Sequence, residues 1–290
     1  MTRYIDSCPV GCRSEFAPTS LVLPEGPLLR CPECGQLVSQ STEERYLESM
    51  QEFDDPRGTL PDSASSSRRF ALGKKWLDRI SQLLQKSPRE TRLLDVGCSS
   101  GAFLHTAKKL GFSVEGVEPA PKAAKAASDS GLPVHCGFLQ DMSLPPESFD
   151  AITLFEVIEH LKDPSSLVRE CRRILKPGGI LLVGTGNAES WTVSSEKAGW
   201  EYFSITNHGG HVSFYNPRSI RKLAESCGFE TARLDTRNVR LVERHNASPA
   251  LYRVSKFASE LLNFPAKLSG KGHDMQSYFR KPQASPLQSR

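Results

Sequence analysis

Glu156, Glu159 and His160 stand close together in the string FEVIEH, and His208 and His211 stand in NHGGH. An imidazole with an ordinary pKa of about 6.5 can take a proton from a hydroxyl at neutral pH, which makes His160, and then His211 or His208, candidate general bases. The alternative is that His160 and the two glutamates only fix their loop and cap the helix that begins near Pro164. A second group is cysteine. CPVGC carries Cys8 and Cys12, and RCPECGQ carries Cys31 and Cys34. Two such knuckles can turn four thiolates toward one tetrahedral ion, the pattern of a structural zinc site, although a thiol pair would use the same residues. A closed four-ligand site leaves no position for chemistry, so its role would be to fold a segment too small for its own core. The other four cysteines, Cys98, Cys136, Cys171 and Cys227, are scattered and read as small buried side chains.

The third group is a glycine turn. RLLDVGCSSGAF reads as a buried strand ending near Asp95 and Val96, a sharp bend at Gly97, and a helix entered at Gly101. Backbone N-H groups exposed at such a helix start can hold the polar end of a nucleoside-containing ligand. The next strand, residues 113–117, ends at Glu118, where a carboxylate can accept both ribose hydroxyls. Nicotinamide and flavin enzymes use a similar device, but their spacing is G-x-G-x-x-G, whereas this turn is G-x-x-x-G with Ser99 inside it.

The elements around these residues alternate. Helical patterns at 102–110, 121–130 and 167–175 separate apolar runs at 92–96, 113–117, 133–136, 149–155 and 180–184. That alternation predicts an α/β fold, a doubly wound parallel sheet with its ligand at the carboxyl ends of the strands. Before it, 43–53 reads as a short helix, 54–67 as a polar linker and 68–86 as an amphipathic helix with Trp76, Leu77 and Ile80 toward the core. After it, 187–215 is a long polar and aromatic loop in which Trp191, Trp200 and Tyr202 can wall a substrate pocket. A strand at 229–235 follows. The helix expected at 248–268 can cover the substrate mouth or join two copies as a homodimer. The domain division is a zinc-ribbon-like segment at 1–60, a linker and helix at 61–90, a core at 91–245, a helical insertion at 246–272, and a last strand and tail at 273–290.

LDVGCSSG, VEGVEPA, SFDAITLFEVIEHLKDP, RILKPGG and ILLVGT occur in that order between residues 92 and 186. In this the chain resembles the class I S-adenosylmethionine-dependent methyltransferases, and among them the small-molecule O-methyltransferases of ubiquinone biosynthesis. The resemblance implies a Rossmann-like seven-stranded sheet with an antiparallel last strand, here at 274–280 and at the sheet edge. It also implies S-adenosylmethionine as cofactor, held by Asp95, Gly97, Cys98, Gly101, Glu118, Pro119, Phe138, Leu139 and Phe155. The acidic residue that relatives place against the adenine falls on Phe138 in this chain, so either Asp141 substitutes or Phe138 and Leu139 pack on the base. The E-x-x-E-H run of the relatives supplies the base or contacts to a divalent metal, roles that fall on Glu156, Glu159 and His160.

Charge and composition narrow the partners. The 290 residues carry a formal charge of only +4, and the cysteine-rich segment has scattered Arg3, Arg13 and Arg30 rather than a basic, aromatic stripe. This argues against the zinc-ribbon ribosomal RNA methyltransferases, which the domain plan otherwise also resembles, and for a small-molecule acceptor. A non-catalytic module that keeps the fold is the other alternative, with Ser99 and Phe138 as its supporting departures. No apolar run approaches the roughly 18 residues that span a bilayer, and the start lacks a signal-peptide core. The sequence therefore reads as a soluble, cytoplasmic protein without a membrane partner.

Overall fold

The computed structural model describes residues 3–51, 63–205, 210–242 and 248–283. The chain opens with β1 (Ala17–Leu23), β2 (Gly26–Arg30) and β3 (Leu37–Val38), followed by α1 (Glu43–Gln51) and α2 (Ser63–Leu84). The alternating unit is β4 (Arg92–Val96), α3 (Ala102–Lys109), β5 (Ser113–Glu118), α4 (Pro121–Asp129), β6 (Val134–Cys136), β7 (Phe149–Phe155), α5 (Pro164–Ile174) and β8 (Leu175–Gly186). Then come α6 (Trp191–Glu196), β9 (Ser213–Phe214), α7 (Pro217–Ser226), β10 (Glu230–Arg237), α8 (Pro249–Leu268) and β11 (Asp274–Arg280). Most of the linker expected at 54–67 lies outside the described residues, and its last five belong to the first turns of α2.

Seven strands form one sheet in the order β10, β11, β8, β7, β4, β5, β6. β6, β5, β4, β7 and β8 are parallel, as the helical crossovers require. Successive strand residues face opposite layers. Leu93, Ala151, Ile180 and Leu182 join Leu77, Ile80 and Leu104 of α2 and α3, while Leu94, Ile152, Leu181 and Val183 join Leu167, Cys171, Ile220 and Leu223 of α5 and α7.

Three expectations change. β11 is antiparallel, but it lies between β8 and β10 rather than at the edge, and its Met275 to Phe279 stretch is buried. Lys176 to Gly179 do not separate helix from strand, because β8 begins already at Leu175. Cys136 is exposed, unlike buried Cys98, Cys171 and Cys227. At the far rim of the sheet from the glycine turn, buried Asp150 accepts from Lys86 Nζ at 2.6 Å, Lys176 Nζ at 2.9 Å and the Arg92 N-H at 3.0 Å. Burial alone would raise its pKa, but these donors hold it below the ordinary carboxylate range.

The amino-terminal segment is tied to the long loop after β8. β1, β2, β3 and β9 form a four-stranded sheet, with Leu37 paired to Phe214 and Val38 to Ser213. Side chains reinforce the seam: Gln36 Nε2 donates to Ser213 Oγ at 3.1 Å, and Asn216 Nδ2 donates to the Cys34 carbonyl at 3.2 Å. Asn216 also caps α7, accepting from the Arg218 and Ser219 N-H groups, with Pro217 in the first turn.

Candidate active site

β4 ends in a turn that only a few backbone conformations allow. Gly97 has φ +74°, and a Cβ there would come within 2.6 Å of Val157 Cγ2. Gly101 has φ +83° and opens α3, where a Cβ would collide with Leu132. Between them Ser99 takes φ +49°, a left-handed conformation unfavourable for a side-chain-bearing residue. Glu118, at the end of neighbouring β5, holds this turn: its Oε2 accepts from the Ser99 N-H at 2.8 Å and its Oε1 from the Ala120 N-H at 2.9 Å.

Gly97, Ser99, Glu118, Pro119, Phe138 and Leu139 line a cavity of about 310 Å³ at the carboxyl ends of β4 to β7, together with Phe155, Glu156 and His160. Three residues expected at the cofactor do not line it. Cys98 turns its side chain into the core beside α2 and α3, and its N-H is taken by the Val117 carbonyl at 3.2 Å. Gly101 leaves room for Leu132, since a Cβ there would collide with that side chain. Asp95 is buried, and its Oδ1 accepts from Thr153 Oγ1 at 2.6 Å. Asp141 is also absent from the lining, whereas its neighbour Gln140 is present and is the polar group nearest to the exposed Phe138 ring in sequence. The sequence reading missed Tyr46 and Met50 as well. They bring α1 of the cysteine-rich segment over the cavity, with the Tyr46 ring stacked on Tyr4 at 4.1 Å.

Four of the candidate catalytic residues, Glu156, Glu159, His160 and His211, come together at the end of β7. Glu156, with φ +54°, turns the chain out of the strand, and the 3₁₀ turn Ile158–His160 follows. Glu159 is fully buried, its carboxylate accepting from the Tyr202 hydroxyl, which also lies 3.0 Å from Thr185 Oγ1. His211 Nε2 is 3.9 Å from Glu159 Oε1, and its Nδ1 lies 3.0 Å from the Tyr202 carbonyl. The His160 and His211 rings meet edge to face at 4.7 Å. β9 sets this register, because the N-H of Val212 donates to the Glu159 carbonyl at 3.1 Å. His208 lies outside the described residues. Of the aromatics expected to wall a pocket, Tyr202 joins this cluster, while Trp200 is buried in a core with Leu28 and Phe214.

Burial raises both carboxyls above their ordinary range. For Glu156, which still reaches the cavity, surrounding protein acts first and the charge of Glu159 second. Phe155 and Glu156 line a second cavity of about 310 Å³ on their other side, walled by Trp76, Phe103 and Thr185 and edged by Arg69, Arg237 and Asp274. Phe155 and Glu156 are thus common to both cavities.

Residues 67–234 match the family model described as methyltransferase domain. The chain belongs to the S-adenosylmethionine-dependent methyltransferases. It is 31% identical over 173 residues to the ubiquinone biosynthesis O-methyltransferase of Thiobacillus denitrificans, covering 56% of this chain and 72% of the relative. The protein of the same name from Xanthomonas axonopodis pv. citri is 34% identical over 170 residues, covering 55% and 70%. The fold matches a SAM-dependent methyltransferase from Archaeoglobus fulgidus (TM-score 0.51, 19% identity, 72% of this chain and 94% of that one). A second match is the S-adenosylmethionine-dependent methyltransferase of Mesorhizobium loti (TM-score 0.50, 17% identity, 69% and 96%).

In this methyltransferase burial raises Asp95 to about 7, with the Thr153 hydrogen bond opposing the shift and the charge of Glu118 adding to it. A carboxyl raised in the folded state keeps its proton there while the unfolded chain has already lost it. Stability therefore falls as pH rises from the ordinary value of 3.8 toward about 7. This amounts to on the order of 4 kcal/mol. Asp95→Asn should flatten the decline in melting temperature between pH 4 and pH 7, and an unchanged pH profile would show that Asp95 ionises normally.

Proposed function

We propose that the methyltransferase transfers the methyl of S-adenosylmethionine to a hydroxyl oxygen of a small acceptor, of the quinone-precursor or sugar kind. The observation that carries this reading is the partition: Phe155 and Glu156 separate the chamber beside the glycine turn from the aromatic chamber of Trp76 and Phe103. The cofactor fits the first, with Glu118 on its ribose, Phe138 and Leu139 against its adenine, and its sulfonium toward Phe155. The acceptor fits the second. In transfer the S–CH₃ bond breaks as the O–CH₃ bond forms, sulfur keeps the electron pair, and the hydroxyl proton passes to Glu156, which lines both chambers, and through it to the cluster with Glu159 and His160. Aligning donor and acceptor can contribute roughly 7 to 11 kcal/mol, and the base about 10² to 10⁴-fold. The named activity of the 31 to 34% identical relatives supports oxygen as the acceptor atom.

Ligand atoms of Glu159, His160 and His211 lie within 4.8 Å of one another, and Glu159 Oε2 has no hydrogen-bond partner among the described residues. This donor set fits a divalent cation, which when bound would lower the pKa of a nearby hydroxyl. Incubating the protein with methyl-tritiated cofactor and cell extract tests the whole reading. Label should enter organic-extractable or sugar-containing small molecules; label confined to RNA, or no label, would reject it.

The four knuckle cysteines also suit a metal. Their sulfurs lie within 4.8 Å of one another, and Cys8 and Cys34 are 3.6 Å apart, close to the about 3.8 Å expected across a tetrahedron with zinc–sulfur bonds of about 2.3 Å. Lys222 Nζ lies 3.1 Å from Cys12 Sγ and 3.3 Å from Glu33, so a cation already balances part of the thiolate charge. These cysteines pack on Tyr215 and Ile220 of the larger core, so zinc here would brace β9 and α7. Cys31→Ser should remove about one zinc per chain by elemental analysis and lower the melting temperature by roughly 10 °C. Wild-type protein purified without zinc and equally stable would exclude the role.

A further inference from the structure

α8 is amphipathic in the opposite sense to a packed helix. The fully buried side chains it turns to the protein are small or polar, Ser255, Ser259 and Ala266, with Tyr252, Leu262 and Asn263 half-buried beside them. Val254, Phe257, Leu261, Phe264 and Leu268 are 67 to 73% exposed. Their spacing of three and four residues puts them on one stripe along a helix about 30 Å long. A soluble surface that exposes a continuous apolar stripe marks a contact. Among the described residues no helix is long and apolar enough to cross a membrane, which leaves open one that lies on it.

Charge decides between occupants. Arg253, Lys256 and Lys267 are exposed along one flank of the stripe, with Glu260 the one acidic residue among them. If two copies of α8 paired antiparallel about their middles, Arg253 would face Lys267 of the other copy, and the two Glu260 side chains would face each other. In a parallel pair these residues would meet Ala258 and Pro265, which offer no charge. A net-basic flank beside aromatic and aliphatic side chains instead complements an anionic lipid surface. We propose that α8 lies flat in the interfacial region of an anionic membrane, with Phe257, Leu261 and Phe264 inserted and Arg253, Lys256 and Lys267 on the headgroups. Arg237 and Asp274, which edge the second cavity, flank the helix in sequence, one ending β10 before it and the other opening β11 after it.

Sedimentation of the full chain with vesicles tests this. Vesicles of phosphatidylglycerol with phosphatidylcholine should bind the protein roughly tenfold tighter than phosphatidylcholine alone. Phe257→Glu combined with Leu261→Glu should weaken that binding on the order of 100-fold. Both positions are exposed, so the folded state should persist, and a shifted emission from Leu261→Trp on vesicle addition reports insertion directly. Absence of vesicle binding, equal binding to both vesicle types, or binding untouched by the double substitution would overturn the proposal. A dimer in solution that the double substitution dissociates, without lipid binding, would overturn it in favour of a second copy.

Discussion

Glu118→Ala should weaken S-adenosylmethionine binding on the order of 100-fold, read as Kd by calorimetry. Two effects combine. The carboxylate stands at the cavity wall where it can accept from both ribose hydroxyls, and hydrogen bonds to a charged acceptor are worth about 1.5 to 3 kcal/mol each. Roughly 3 kcal/mol lost in total is the 100-fold change. The same oxygens accept from the N-H groups of Ser99 and Ala120, so their loss also frees a turn that keeps Ser99 left-handed. Glu118→Gln retains one acceptor oxygen and should fall between wild type and alanine. A wild-type Kd in the alanine variant, with its fold intact by circular dichroism, would remove Glu118 from the cofactor site.

What the sequence revealed about this site is what short-range pattern can encode. The bend at Gly97, the strand ending at Glu118 and the E-x-x-E-H string are local, and each appears in the structure at the rim expected for it. Cys98 and Gly101 belong to the same string, yet one is spent on core packing and the other on the approach of Leu132, a distinction that a linear motif does not carry. Tyr46 and Met50 were missed because nothing near α1 signals that it covers a cavity formed about 50 residues later. The pairing of β3 with β9 brings residues near 37 and 214 together, and two-residue strands leave almost no periodic trace. β11 was misplaced to the edge because strand order depends on long-range pairing. Its buried run of Met275, Tyr278 and Phe279 was the available sign of an interior position. For α8 the periodicity was legible, but whether its apolar face turns inward is decided by what the other face packs on.

His160→Ala should lower kcat about 10² to 10⁴-fold while leaving cofactor Kd within a few-fold of wild type. His160 borders the cofactor cavity, but the contacts expected to bind the nucleoside, from Glu118 and the turn at Gly97, lie on other strands. Its ring meets His211, which is 3.9 Å from the buried carboxylate of Glu159, whose Oε2 has no hydrogen-bond partner among the described residues. A proton accepted from the acceptor hydroxyl would therefore enter a cluster whose negative charge is poorly solvated and gains from a neighbouring cation. The raised carboxyls fix the sign of the pH dependence: they must ionise before the cluster can accept a proton, so kcat should rise with pH through a range above that of an ordinary carboxyl. Glu159→Gln keeps an oxygen for the Tyr202 hydroxyl while removing the charge, and it should abolish or displace that acidic limb as well as lower kcat. A purely structural Glu159 would lower stability and leave the limb where it was. Full turnover in His160→Ala would exclude the imidazole from the chemistry, and equal losses in kcat and cofactor affinity would make it a wall of the cavity instead of a base.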